Sequence, residues 1–175
     1  MRKSLNFSSI HLGDAMLTQE SDQVRNILIA SSFRCGSSFL GELLNQFPGT
    51  FYYFEPLYYY SQNQEIIQEQ FLETLFRCQF GDSNHGFLEH VRDRKNSFLL
   101  SHHNKRLWDS CKMFPEHIRL EACFSEDYLN RVCPRFPLRL IKTVRLRVKK
   151  TRKILENLPN TKILFLVRDP RAVFR

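Results

Sequence analysis

Long apolar runs are missing from this 175-residue chain. No stretch approaches the roughly 18 consecutive apolar residues that a membrane-spanning helix needs. Residues 1–20 are polar and mixed, without the apolar centre of a secretory signal, so the chain as it stands is expected to be soluble. No C-x-x-C pair occurs and the cysteine count is odd, at five, which argues against a zinc site. Helix-turn-helix, zinc-finger and RNA-recognition signatures are absent, so nucleic acid is not an expected partner. Internal repeats and low-complexity tracts are absent too. An apolar fraction of 42% and a charged fraction of 25% are ordinary globular values and exclude a collagenous or wholly disordered chain. The length suits one domain with a real core and is short for two. Acidic residues are outnumbered, giving a net charge of +8 and implying anionic partners without choosing among them.

The cysteines are Cys35, Cys78, Cys111, Cys123 and Cys133. A Cys123–Cys133 disulfide is one pairing that an oxidising compartment permits, and buried free thiols are the alternative. Asn6-Phe7-Ser8 is a glycosylation sequon, relevant only in a secretory lumen.

Residues 1–24 read as a loose leader and residues 25–175 as one domain. Residues 26–31 (NILIAS) are a short apolar run, expected to be a buried strand. Phe39, Leu40, Leu43, Leu44 and Phe47 then recur at helical spacing until Pro48-Gly49. Residues 50–54 are β-prone and residues 64–80 helical, whereas residues 81–120 carry no clear period. Residues 138–146 (LRLIKTVRL) read as a strand, 148–158 as a basic helix, and 162–167 (KILFLV) as a second buried strand. Strands alternating with helices predict an α/β fold with a mainly parallel sheet flanked by helices. Such sheets bind ligands beyond the carboxyl ends of their strands.

Two motifs occupy that position. After residues 26–31 come Arg34-Cys35-Gly36-Ser37-Ser38, opening a helix. The first N–H groups of a helix lack internal partners and, with the helix dipole, form an anion site. Gly36 permits a tight turn, Ser37 and Ser38 add hydroxyls, and Arg34 adds a planar cation. A polar turn with Ser37 as N-cap is the plain alternative. The loop has one glycine and no following lysine, so it is not a Walker A loop. A P-loop phosphotransferase is disfavoured for that reason and for want of an Mg²⁺ ligand pattern. The second motif, Arg168-Asp169-Pro170-Arg171-Ala172-Val173, follows residues 162–167. It is either a guanidinium grip on phosphate or a surface turn with an Arg–Asp pair.

Together these segments resemble the Golgi carbohydrate 6-O-sulfotransferases that modify galactose, N-acetylgalactosamine and N-acetylglucosamine. The shared elements appear in order: RCGSSF at 34–39, LLNQFP at 43–48, FEP at 54–56, KTVR at 142–145 and LVRDPRAVFR at 166–175. The resemblance covers residues 26–175 with a divergent middle. It implies a P-loop nucleotide-hydrolase-like sulfotransferase fold, present as its amino-terminal part and truncated at the carboxyl end. It implies 3′-phosphoadenosine 5′-phosphosulfate (PAPS) as co-substrate, no metal, and a glycan acceptor. The 5′-phosphosulfate would be held by Arg34, Cys35, Gly36, Ser37, Ser38 and Phe39, and the 3′-phosphate by Arg168. A serine that the family uses eight positions after that arginine falls past Arg175. Cys35 stands where the family has serine or threonine, and a thiol is a poor donor. The family sits in the Golgi by an amino-terminal anchor that this sequence does not show. An inactive or truncated anion-binding homologue is the alternative reading.

Sulfuryl transfer needs positioned reactants, neutralised charge and a base for the acceptor hydroxyl. Arg34 is placed to neutralise the leaving group. Glu55 is the candidate base, with a turn residue or ion-pair partner as its plain reading, and His102 and His103 are rivals. Lys142 and Arg145, three apart in a strand, are expected to face opposite sides. Residues 135–153 hold nine Lys or Arg and no acid, a solvated face or an acidic-glycan track. Tyr52, Tyr53, Tyr58, Tyr59 and Tyr60 either stack on sugars or fill core and rim.

Overall fold

A computed structural model describes residues 25–61, 68–81, 85–93, 103–169 and 171. The expected leader, the Asn6 sequon and His102 lie outside them. Strand β1 (Arg25–Ser31) leads into helix α1 (Ser37–Asn45) and strand β2 (Thr50–Phe54). A 3-10 turn (Pro56–Ser61) opens a helical insertion: α2 (Gln68–Phe76), α3 (His85–Arg92), α4 (Lys105–Cys111), α5 (Arg119–Cys123) and α6 (Glu126–Val132). Strand β3 (Leu138–Thr143), helix α7 (Val148–Asn157) and strand β4 (Thr161–Leu166) follow. The sheet runs β2-β3-β1-β4 and every pairing is parallel, as an α/β fold requires.

Parallel neighbours need crossovers, and right-handed crossovers decide which face each helix covers. The chain moves from β1 past β3 to β2, returns to β3, then passes β1 to reach β4. Connections travelling in opposite directions lie on opposite faces. Accordingly α1 packs over Ile29, Tyr52 and Leu140 through Leu40 and Leu44. The insertion and α7 bury the other face, where Leu28, Phe51, Tyr53 and Ile141 meet Phe71, Leu75, Phe76 and Ile154. Burial on both faces explains the unbroken apolar runs of β1 and β2. α1 approaches closely because of Gly41: a Cβ there would lie 2.1 Å from the hydroxyl of Tyr52.

Three expectations are corrected. β4 is not buried: among the described residues it is the last strand of the sheet, and Leu164 and Phe165 are exposed. A short apolar run reports strand propensity, while its place in the sheet depends on what else packs there. The strand expected over residues 138–146 stops at Thr143, whose Oγ1 accepts from the Arg145 N–H at 3.2 Å and turns the chain. The cysteines pair as Cys78–Cys133 and Cys111–Cys123, not Cys123–Cys133. Cys111 and Cys123 end α4 and α5, which pack together, and Cys133 closes on Cys78, two residues past α2, each pair with Cα atoms 5.6 Å apart. The described part of residues 81–120, without a legible period, contains the short helices α3 and α4 and a 3-10 turn (Glu116–Ile118).

Candidate functional site

The connections leaving β1 and β3 go to opposite faces, so a crevice opens between the carboxyl ends of these two strands. A cavity of about 550 Å³ occupies that place. Its β1 wall is the first motif. Arg34 (φ 65°) and Gly36 (φ 87°) both take the left-handed conformation. Nothing lies within 4 Å of a Cβ built on Gly36, so glycine is required there by backbone angle and not by space. Gly36, not Ser37, is the N-cap of α1, so the capping alternative for Ser37 does not hold. Gly36, Ser37 and Ser38 line the cavity at the positive end of a nine-residue helix.

Arg168, beyond β4, lines the same cavity and donates from Nη1 to the Arg34 carbonyl at 3.0 Å. The two motifs, 134 positions apart, are thus in contact. Asp169 instead turns to Arg171, whose guanidinium holds its carboxyl below the usual range. Two members of the expected set lie elsewhere. The Cys35 thiol folds back within the loop, 2.9 Å from the Ser32 hydroxyl. Phe39 is 76% exposed on the outer side of α1. Neither lines the cavity.

The β2–β3 wall centres on Glu55, which is buried and in the left-handed conformation (φ 47°). Such a conformation costs a non-glycine residue roughly 1–3 kcal/mol and persists only where its surroundings fix it. Here they do. The Glu55 N–H donates to the Lys142 carbonyl at 2.8 Å, continuing the β2–β3 ladder. Oε1 accepts from Lys142 Nζ at 2.5 Å, and Oε2 from Arg145 Nη1 at 2.9 Å and the Val144 N–H at 3.3 Å. Lys142 and Arg145 therefore converge on one carboxylate, contrary to the expectation of opposite sides. The turn at Thr143 brings residue 145 back. A carboxylate offers about four lone-pair sites, and three of these are engaged, leaving one on Oε1.

Phe33, Phe54 and Tyr58 supply the apolar lining. Arg145 lies between two of them, its Cζ 5.4 Å from the Phe33 ring centre and 5.0 Å from that of Tyr58. Phe33 and Val144 were not singled out by sequence, since nothing in their spacing marks them. Of the tyrosines, Tyr52 and Tyr53 are fully buried core, Tyr58 lines the cavity, and the side chains of Tyr59 and Tyr60 are outside the described set. Burial drives the phenols of Tyr52 and Tyr53 far above their usual range, so both stay neutral. His103 binds the Glu42 carboxylate through Nδ1 and stacks on Phe54 at 4.1 Å, outside the cavity lining.

The basic run of residues 135–153 is largely committed. Arg139 is buried and donates to the Phe76 carbonyl at 2.9 Å. Lys150 pairs with Glu69 and Arg152 with Glu156. Arg135, Arg147, Lys149 and Lys153 are exposed. Among the described residues no helix is long and apolar enough to cross a membrane, and no group of three His, Cys, Asp or Glu is placed to hold a metal ion.

Four cationic side chains (Arg34, Lys142, Arg145 and Arg168) and one carboxylate thus face a single cavity. That balance suits a multiply charged anion.

Comparison with known proteins gives a consistent answer. The chain is 31% identical over 194 aligned positions to carbohydrate sulfotransferase 7 of Rattus norvegicus, covering 90% of this chain and 39% of the relative. It is 29% identical over 179 positions to carbohydrate sulfotransferase 4 of Mus musculus (90% and 45%). With carbohydrate sulfotransferase 6 of Homo sapiens it shares 30% over 168 positions (86% and 42%). The chain therefore spans less than half the length of these curated relatives. No family model and no solved structure matches it.

Proposed function

Given that this chain belongs to the carbohydrate sulfotransferase family, we propose that its cavity binds PAPS and serves transfer of the sulfuryl group to a sugar hydroxyl. We take the hydroxyl to be the 6-OH of N-acetylglucosamine, galactose or N-acetylgalactosamine. The observation that carries the reading is the contact between Arg168 and the Arg34 carbonyl, which puts both anion-binding motifs on one cavity.

In this reading the N–H groups and hydroxyls of Gly36, Ser37 and Ser38 hold the 5′-phosphosulfate, and Arg168 takes the 3′-phosphate. The sugar oxygen attacks sulfur. The bond from sulfur to the bridging phosphate oxygen breaks, and its electron pair leaves with the phosphate. Arg34 neutralises that charge, as positioned cations do in phosphoryl transfer. The hydroxyl proton passes to Glu55 through the lone-pair site left on Oε1, while Lys142 and Arg145 fix the carboxylate. The two disulfides support an oxidising compartment such as the Golgi lumen.

The test is nucleotide binding followed by transfer. The chain is expected to be retained on immobilised adenosine 3′,5′-bisphosphate and released by the free bisphosphate, not by ATP. Arg168→Ala is expected to weaken binding by about 10- to 100-fold, the range for hydrogen bonds to charged groups. Release by ATP alone would overturn the PAPS reading. With donor and an N-acetylglucosamine-terminated acceptor, transfer is expected from a chain of the relatives' length, and loss of it in Glu55→Ala.

A further inference from the structure

We propose that the β2–β3 half of the cavity is a sugar subsite in which Phe33 is the platform for the acceptor's pyranose ring. The inference rests on the donor-and-acceptor reading above and adds where the acceptor sits.

The argument begins with strand order. In the sequence β2-β3-β1-β4, the groups suited to phosphates stand at the ends of β1 (Arg34, Gly36, Ser37) and β4 (Arg168). The other half of the cavity is walled by Glu55 and Tyr58 beyond β2 and by Lys142 and Arg145 at the end of β3. A nucleotide fixed between Gly36 and Arg168 leaves that second half open. Phe33 leans towards it, since its ring is held by Arg145 of β3's turn at 5.4 Å.

Phe33 is a large apolar side chain that is 60% exposed, beside a cationic site. Its position is nonetheless fixed. Arg145 is tethered to Glu55 at 2.9 Å and backed by the Tyr58 ring at 5.0 Å, forming a stack of ring, guanidinium and ring. The exposed part of the Phe33 ring is therefore an apolar face held at the mouth of a polar cavity. A pyranose matches it, with C–H groups on its faces and hydroxyls round its edge. The C–H face covers the Phe33 ring face turned away from Arg145, and an edge hydroxyl reaches past the ring towards Glu55 and Lys142. An adenine would also stack on a phenyl ring, but the phosphate anchors hold the nucleotide towards β4.

The test compares the chain with Phe33→Ala and Phe33→Trp, titrating adenosine 3′,5′-bisphosphate by calorimetry and N-acetyllactosamine by saturation-transfer NMR. Phe33→Ala is expected to bind the bisphosphate within about twofold of the unaltered chain and to lose about tenfold in disaccharide affinity (about 1.4 kcal/mol). Phe33→Trp is expected to retain disaccharide binding, with saturation strongest on ring C–H protons. A Phe33→Ala variant that loses bisphosphate affinity would instead assign Phe33 to the base and overturn the inference. Unchanged affinity for both probes would overturn it too. If the unaltered chain binds bisphosphate but not disaccharide, the sugar subsite alone fails. If it binds no bisphosphate, the donor reading fails and takes this inference with it. Loss of one ring–guanidinium contact is expected to lower Tm by only a few degrees, so melts of all variants separate a binding change from a folding change.

Discussion

Replacing Glu55 with glutamine separates two consequences that the geometry joins. The substitution preserves shape but removes the charge that Lys142 and Arg145 share. The Lys142 and Glu55 side chains are only 5% and 8% exposed, so water cannot compensate the stranded ammonium. An amide keeps one acceptor oxygen, but its NH₂ group must face a cationic donor. Breaking a buried pair by removing one partner costs about 3–5 kcal/mol. For a chain of this size each kcal/mol moves Tm by about 2–4 °C, so Glu55→Gln is expected to melt about 6–20 °C lower. Circular dichroism at 222 nm reads the shift, and urea titration with an unchanged slope confirms that stability moved. The double variant Glu55→Leu with Lys142→Met is expected to regain part of the loss, because it leaves no ammonium unpaired while the more exposed Arg145 turns to water. A Glu55→Gln chain melting within about 2 °C of the original would refute the buried-pair argument and leave Glu55 a solvated side chain free to act as a base alone.

Other outcomes follow from different parts of the molecule. In the chain-entropy treatment, closing 55 residues through Cys78–Cys133 stabilises by about 4 kcal/mol, and closing 12 through Cys111–Cys123 by about 3 kcal/mol. Thermal melts with and without reductant are expected to show the larger drop in Cys133→Ser. Peptide mapping should yield these two linkages, and a Cys123–Cys133 peptide would contradict the arrangement. Burial lowers the pKa of His90 below its usual 6.5, an effect partly opposed by Asp93. The folded state therefore prefers neutral imidazole, and its contribution is complete above about pH 6.5. It is lost as pH falls, because the unfolded chain binds the proton first. His90→Gln is expected to flatten the stability slope between pH 7 and 5, and an unchanged slope would remove His90 as its source.

The elements that sequence made legible are those with strong local patterns. Residues 26–31 and 50–54 are dense in apolar and β-prone side chains and form the strands expected. The helical spacing of Phe39, Leu40, Leu43, Leu44 and Phe47 marked α1, although of these only Leu40 and Leu44 pack on the sheet, and Gly36 marked the turn before it. What stayed hidden depends on contacts between distant residues. Neither Lys142 nor Arg145 carries any local sign that it will meet Glu55, 87 and 90 positions away. Reading residues 138–146 as one strand put them on opposite sides, and a single hydroxyl bond at Thr143 reverses that. The cysteine pairing was hidden for the same reason, since spacing does not choose among the possible pairs and helix packing joined Cys123 and Cys133 each to another partner. Phe33 shows no periodicity at all, and its place follows only from the guanidinium beside it.

The insertion between β2 and β3 also sets an order of assembly. Glu55 leaves the ribosome 87 residues before Lys142, so their meeting closes a long loop. The Cys78–Cys133 link bypasses 55 of those 87 residues and so shortens the loop that must close. Reduction of those thiols is therefore expected to slow the meeting of Glu55 and Lys142, although neither residue touches a disulfide.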